Sequence, residues 1–505
     1  MNQILLINPS IHAKTQSKRA TAVMSLSFPT SIAVLAGYLL KYDFQPSLID
    51  EQMEPLNDTT LQSLLAQLAP PRVVGISSVT LTVSRTQHLI RLVKKLAPDV
   101  TVIVGGIHAT VQPDDFLQLP ELDILVRGEG ELTLREIMET LLSEKKDLSQ
   151  ILGISYRQGD KICHTPDRPL LKDLDELPPM PYHLFAKHKN KYSNFGIVFG
   201  SRGCPYPCTF CSARSISGLK YRFHSAQRIV DECKTLIDVY GQTLIQLADD
   251  NIAVHKRHFK EVCEGLIQEG LHKRAAFHGS LRGDDARDDV LEMAHQANFT
   301  IIYFGLETGS ERLMQVIRKQ ETVAEVIDAI HRTVQHGIAV GTTIIFGLPS
   351  ETRADRKACI RMVQNLPIAS VRYNTLAPYP GTAIFNEYLP QNKILIKDGW
   401  ENFNVQYLWQ SDDIPYVPDS SDRLELIFDT MYANFAHYLS WHGIKQMFLS
   451  PVAGGNVVRL SSRWYTSLPE LWKIYALFQY MMLRFLSVAV RMLVRRLFNV
   501  SKKST

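Results

Sequence analysis

The stretch Arg202-Gly203-Cys204-Pro205-Tyr206-Pro207-Cys208-Thr209-Phe210-Cys211 decides how this chain is read. Its cysteines fall in the spacing CxxxCxxC, on a loop that follows the apolar run 195–200, which reads as a strand. Three closely spaced thiolates can hold three irons of a four-iron, four-sulfur (4Fe-4S) cluster and leave the fourth iron open for chemistry. A structural zinc site takes four protein ligands, commonly as CxxC pairs. No second pair exists in the chain, and Cys163, Cys233, Cys263 and Cys359 are scattered and read as buried or incidental thiols.

Outward from this loop, 192–385 alternates strand-like and helix-like segments. Strands are expected at 195–200, 244–248, 275–280, 300–305, 338–346 and 369–376, which fits a partial parallel barrel with helices between strands. In such barrels catalytic groups gather at strand C-terminal ends. Those ends carry Asp249-Asp250-Asn251, Arg282, Glu307 within Gly305-Leu306-Glu307-Thr308-Gly309-Ser310, the run from Phe346 through Gly347, Leu348 and Pro349 to Thr352, and Pro378-Tyr379-Pro380-Gly381-Thr382. No catalytic acid–base dyad stands out.

The segment 1–140 also alternates, with strands expected at 4–7, 45–49, 73–76, 101–104 and 122–126 and helices at 30–40 and 83–96. That pattern predicts a doubly wound, Rossmann-like parallel sheet whose ligand lies beyond the strand C-terminal ends. The loops there hold Asn8-Pro9-Ser10, Ser77-Ser78, Gly105-Gly106-Ile107-His108 and Gly128-Glu129-Gly130-Glu131. The expected organisation is an α/β chain in four parts: a Rossmann-like domain (1–140), a connector with a hairpin around Gln158-Gly159-Asp160 (141–190), a partial (β/α)6 barrel (191–400), and a mainly helical C-terminal region (401–505).

The cysteine loop and the ordered strand-end motifs resemble the radical S-adenosylmethionine (SAM) superfamily, whose signature places an aromatic residue before the last cysteine, here Phe210. The resemblance implies a cluster on Cys204, Cys208 and Cys211, with SAM chelated at the open iron and cleaved by an electron from the cluster. It further implies that Glu307 meets the SAM ribose, that Arg282 lies near its carboxylate, that Gly347 and Pro349 shape the turn near adenine, that Tyr206 packs nearby, and that Asp250 belongs to the same pocket.

The N-terminal part resembles the cobalamin-binding domain of the cobalamin-dependent subgroup. Ser77, Gly105, Gly106, Gly128 and Glu129 are then the expected cobalamin contacts, the small residues opening a slot for the nucleotide tail. The DxHxxG motif that supplies a cobalt-binding His in the wider class is absent. His12 is displaced by two positions and His108 follows a different strand, so neither is assigned to cobalt.

By resemblance, the chemistry is hydrogen abstraction from an unactivated carbon followed by methyl transfer to a hydrophobic or lipid substrate. The alternative is radical cyclisation, ring contraction or oxidative cyclisation of a porphyrin- or lipid-like substrate. A non-enzymatic iron–sulfur or redox-sensing protein would have no need of the ordered strand-end motifs. An electron donor such as flavodoxin or ferredoxin is expected as partner.

With 505 residues, 45% hydrophobic and 21% charged, the composition is globular. A net charge of +4 gives no argument for nucleic acid. No disulfide framework or signal peptide is read, so a cytoplasmic location is expected. The segment 471–505 lacks Asp and Glu but carries Lys473, Arg484, Arg491, Arg495, Arg496, Lys502 and Lys503. Arg484 interrupts its apolar run, so a membrane-spanning helix of about 20 apolar residues is not expected. The segment reads as a basic amphipathic helix for the inner membrane surface, or as a helix packed on the barrel with a basic solvent face.

Overall fold

The structure, a computed structural model of the chain, describes residues 3–10, 26–405, 407–441 and 468–497. Its first sheet holds strands β1 (Gln3–Asn8), β2 (Gln45–Asp50), β3 (Val73–Ser77), β4 (Thr101–Gly105), β5 (Ile124–Val126), β6 (Ile154–Gln158) and β7 (Lys161–His164), in the order β2-β1-β3-β4-β5-β6-β7. The first five run parallel, as their continuous β-branched runs require, since both faces are covered. All of β3 is buried.

Helices α1 (Thr30–Leu40), α2 (Asp58–Gln67), α3 (Val83–Leu96) and α4 (Glu131–Leu142) cover this sheet. On α3 the buried residues Val83, Thr86, Leu89, Ile90 and Val93 recur with helical period, giving one apolar stripe. The strand order reverses between β1 and β3, which opens the switch-point crevice typical of doubly wound sheets. The hairpin expected in the connector is present, and it extends this sheet: β6 pairs antiparallel with β5.

The second sheet holds β8 (Ile197–Val198), β11 (Leu244–Leu247), β12 (Ala276–Leu281), β13 (Phe299–Glu307), β14 (Ala339–Phe346) and β15 (Ser370–Thr375), all parallel. Each strand lies beside the next in the sequence, so the sheet winds in one direction as an open barrel. Helices α5 (Ala226–Asp238), α6 (Lys256–Gln268), α7 (Asp288–Gln296), α8 (Val323–Gln335) and α9 (Arg353–Gln364) line its outside. Ser225 caps α5, and capping boxes Thr322/Glu325 and Thr352/Asp355 start α8 and α9.

The two sheets share a core. Phe28 packs against Tyr182, Phe185, Tyr192 and Phe195 with ring centroids 4.9–5.9 Å away. Tyr192 also donates from its hydroxyl to Asp50 at 2.9 Å.

The C-terminal region contributes α10 (Arg423–Tyr438) and α11 (Leu468–Leu497). Val488 and Met492 are buried, and Phe485 stacks on Phe428 of α10 at 5.3 Å. Three basic residues of α11 reach carboxylates of the preceding segment: Arg484 and Arg491 both reach Asp412, and Arg495 reaches Asp422. Leu483, Leu486, Val490, Leu493 and Leu497 face outward. The described part of this helix is therefore packed on α10 and on the segment 408–422, with an apolar outer face, the reverse of the basic outer face that composition alone suggests; residues 498–505 lie outside the described residues. Among the described residues no helix is long and apolar enough to cross a membrane.

Candidate active site

The cysteine loop is held from several sides. The first barrel strand, Ile197–Val198, is shorter than the run 195–200 suggests, and the chain passes close to its neighbours at Gly200. A Cβ there would stand 2.9 Å from both Asp249 Oδ2 and Ile229 Cδ1. Asp249 accepts from Ser201 N at 2.6 Å, and burial pushes its carboxyl up to about 7. The chain then forms β9 (Ser201–Arg202), antiparallel to β10 (Arg222–Phe223). It turns at Gly203 with φ +88, where any side chain would collide with the Lys220 carbonyl. Thr209 N donates to Ile317 O at 2.9 Å, and Thr209 O accepts from Ile384 N at 3.1 Å.

Cys204, Cys208 and Cys211 are free and partly exposed. Burial raises all of these thiols, Cys211 to about 11, while Lys319 and Arg282 pull Cys208 and Cys204 back. Iron binding must therefore displace the protons. Among the described residues no group of three or more His, Cys, Asp or Glu side chains converges as a single metal ion needs. A four-iron cluster takes its thiolates at separate corners, so three cysteines spread along a pinned, partly open loop fit it.

Beside the loop lies a buried group of four charges. Glu307 ends β13 in the left-handed region at φ 58, where the pairing with β14 shifts register. Gly305 makes this possible, because a Cβ there would collide with the Glu307 carboxylate. Lys319 donates to Glu307 Oε1 at 3.1 Å and lies 3.8 Å from Glu321. Burial alone would lower the Lys319 ammonium, but Glu307 and Glu321 hold it above its ordinary range.

Arg282 donates to the Lys319 and Gln320 carbonyls at 2.8 and 3.0 Å and lies 3.4 Å from Glu321. Its guanidinium also covers the Tyr206 ring at 3.6 Å. Arg282 thus touches Tyr206 directly and is joined to Glu307 through Glu321 and Lys319. Sequence reasoning missed Lys319 and Glu321. Their one local signal is the pair of positive φ angles at Arg318 and Gln320 (50 and 57) flanking Lys319, which no sequence pattern announces.

The turn after β14 is set by Gly347 at φ +85, whose N–H donates to Glu351 at 2.5 Å. Burial pushes the Glu351 carboxyl up to about 7. Pro349 is buried in this turn, and Phe210 packs at the edge of the shared core.

A cavity of about 340 Å³ runs from the first sheet to the cysteine loop. Ser77, Gly105, Gly106, Gly128 and Glu129 line it on one side, and Gly203, Asp249 and Asp250 on the other. Gly106 has φ +101, and a side chain there would collide with Ser78 O; a Cβ on Gly128 would meet nothing within 4 Å. Such a small-residue slot fits the slender nucleotide arm of cobalamin, at the crevice where doubly wound sheets bind ligands. Ser77 Oγ donates to Ser31 Oγ at 3.0 Å within its wall.

Glu129 faces the slot but is also held by Arg222 at 2.7 and 3.0 Å and by Arg202 at 3.2 Å. Burial alone would raise its carboxyl; the two guanidinium groups outweigh this and hold it below the usual range. His108 is fully buried, 2.8 Å from Asp115 and 3.3 Å from Thr80, under the Trp400 ring at 5.0 Å. It is not among the residues that line the cavity. His12 lies outside the described residues.

The model of the radical SAM superfamily matches residues 198–363, and that of the B12 binding domain matches residues 20–138. The uncharacterized methyltransferase PH0819 of Pyrococcus horikoshii is 31% identical over 406 residues, covering 80% of this chain and 86% of that protein. The chain belongs to the cobalamin-dependent radical SAM family.

It is an enzyme that uses a 4Fe-4S cluster, SAM and cobalamin, and radical SAM methyl transfer is the activity the family match supports. The anaerobic magnesium-protoporphyrin IX monomethyl ester cyclase of Rubrivivax gelatinosus is 25% identical, covering 86% of this chain and 77% of its own length. The cobalamin-dependent SAM radical enzyme OxsB with aqua-cobalamin bound has the same fold, with TM-score 0.71 at 17% identity over 96% of this chain and 72% of its own.

Proposed function

We propose that this enzyme methylates an unactivated carbon of a hydrophobic small molecule. The observation that carries the reading is the continuous cavity from the small-residue slot to Gly203 and Asp250 beside the cysteine loop. A methyl carrier in the slot would thus open toward Gly203, the residue next to Cys204 of the proposed radical source. When bound, the three groups supply the electron, the hydrogen-abstracting radical and the methyl donor. The protein supplies positioning and a dry enclosure.

In this reading Cys204, Cys208 and Cys211 hold the cluster. Glu307, held by Lys319, meets the SAM ribose. Arg282 fixes the Tyr206 ring that packs beside adenine, and the Gly347–Pro349 turn closes that side. Ser77, Gly105, Gly106 and Gly128 accept the cobalamin tail, and Asp250 borders the reacting space. The domain limits proposed are 1–140, 141–190, 191–400 and 401–505.

An apolar substrate suits the outward leucines of α11 (Leu468–Leu497), which we assign to contact with a lipid surface on the inner face of the membrane. A flavodoxin- or ferredoxin-like protein would deliver the electron. The test is anaerobic turnover with extracts of apolar metabolites, read by mass spectrometry. A product heavier by one methylene, formed with S-adenosylhomocysteine, is expected. A product of lower hydrogen content without a methyl gain would replace methylation by cyclisation. Removal of 471–505 should abolish liposome association; retained association would refute the membrane assignment.

A further inference from the structure

The acidic loop Gly128-Glu129-Gly130-Glu131 does more than border the slot. Glu131 accepts from Arg202 at 2.6 Å, and Glu129 accepts from both Arg202 and Arg222. Arg222 also donates to Leu171 O at 2.7 Å and Ser217 O at 3.3 Å, and Leu171 N donates to Glu129 Oε2 at 3.3 Å. The side chains of Glu129, Glu131 and Arg222 are 9%, 8% and 4% exposed. Arg202 and Arg222 are direct partners in the β9–β10 ladder, and Arg202 is separated from Cys204 by Gly203 alone.

One compact cluster of two carboxylates and two guanidinium groups therefore joins three parts of the chain. These are the end of β5 in the first sheet, the connector at Leu171, and the entry to the cysteine loop. Buried ion pairs add little net stability because both partners lose water, but they enforce one geometry, since any misfit leaves a charge unpaired. Bidentate arginine forks are directional as well. The same carboxylates line the cavity, so whatever fills the slot abuts the groups that hold Arg202.

We propose that Glu129 and Glu131 are positioning residues that set the separation between the cobalamin slot and the cluster, by holding Arg202 and through it the cysteine loop. The inference rests on the placement of cluster and cobalamin at these two sites.

The test uses full-length Glu131→Gln, with Arg202→Lys as a second variant that keeps the charge but cannot fork between two carboxylates. Both are loaded anaerobically with iron, sulfide and hydroxocobalamin. Iron and cobalamin contents are measured first; if the wild type fails to hold both, the placement itself is wrong. In variants holding both cofactors, pulsed EPR of the reduced cluster and cob(II)alamin reads their separation. The expected result is a broadened or shifted distance distribution in either variant. SAM cleavage should continue, while methylated product per SAM cleaved falls on the order of 10- to 100-fold, as misplacement near 1 Å does. An unchanged distance distribution in the variants overturns the proposal. So does loss of cobalamin with an unaltered cluster spectrum, which would make the acidic loop a direct cobalamin contact. If Glu131→Gln does not fold, Arg202→Lys decides by the same readings.

Discussion

The two parallel sheets of this enzyme use their strand ends in opposite ways. At the barrel mouth, Glu307, Lys319, Glu321 and Arg282 form a dense, buried set of charges beside the cysteines. In the first sheet, Ser77, Gly105, Gly106 and Gly128 leave space, and the charges of the neighbouring Glu129 and Glu131 are taken up by Arg202 and Arg222. SAM, placed beside these charges in the proposed reading, is small and zwitterionic, and preorganised charges would orient it. Cobalamin, placed in the slot in the same reading, is large, and the small residues leave room for it. Topology supports the difference. The barrel winds in one direction and brings successive strand ends to one mouth. The doubly wound sheet reverses between β1 and β3 and opens a crevice there.

The strongest way to probe this contrast is on the charged side. Cys208→Ala should abolish SAM cleavage altogether, measured as 5′-deoxyadenosine, while cobalamin binding persists; any retained cleavage would break the cluster assignment. Next in size is Lys319→Met, which leaves Glu307 and Glu321 buried without their shared cation. Loss of one partner from a buried ion pair costs about 3–5 kcal/mol, read by denaturant unfolding, and SAM affinity should fall with it. A loss below about 1 kcal/mol would mean that the charges are solvated and carry no such role.

A third test concerns pH. Burial holds the Asp249 carboxyl up at about 7, above its ordinary 3.8. The folded protein therefore keeps this proton where the unfolded chain has lost it. The stability it contributes is complete below about 3.8 and is lost as pH rises to about 7. Asp249→Asn retains an acceptor for Ser201 N and should remove a few kcal/mol of that pH dependence, at about 1.4 kcal/mol per pKa unit. Parallel stability profiles of variant and wild type between these pH values would contradict the assignment.

The smallest effect belongs to the small-residue wall of the slot. Ser77→Ala removes one hydroxyl contact to Ser31, worth about 1 kcal/mol, and should leave cobalamin affinity within a few-fold by equilibrium dialysis. A large loss would mean that the slot recognises polarity rather than space.

Much of this was readable in the sequence. The strands announced themselves as β-branched runs, because parallel strands are covered on both faces. The cysteine spacing is local, so it named its chemistry directly. Lys319 and Glu321 were not legible because their meaning lies in packing against Glu307 and Arg282 and in unusual backbone angles. Glu129 was placed in the slot by its neighbouring glycines, but its arginine partner Arg222 stands 93 residues along the chain, beyond any local pattern. Arg484, Arg491 and Arg495 read as outward-facing from composition, toward a membrane or solvent, because Asp412 and Asp422, which pair with them, belong to another segment.

The contrast between the two sites is tested most directly by cofactor content after anaerobic loading, compared between wild type and Gly106→Val. The wild type should hold about four irons and about one cobalamin per chain. Gly106→Val places a side chain against Ser78 O in a left-handed backbone, so cobalamin should be lost while iron stays unchanged. Cobalamin retained at wild-type level in Gly106→Val, or iron lost together with it, would contradict two separate sites built on charge and on space.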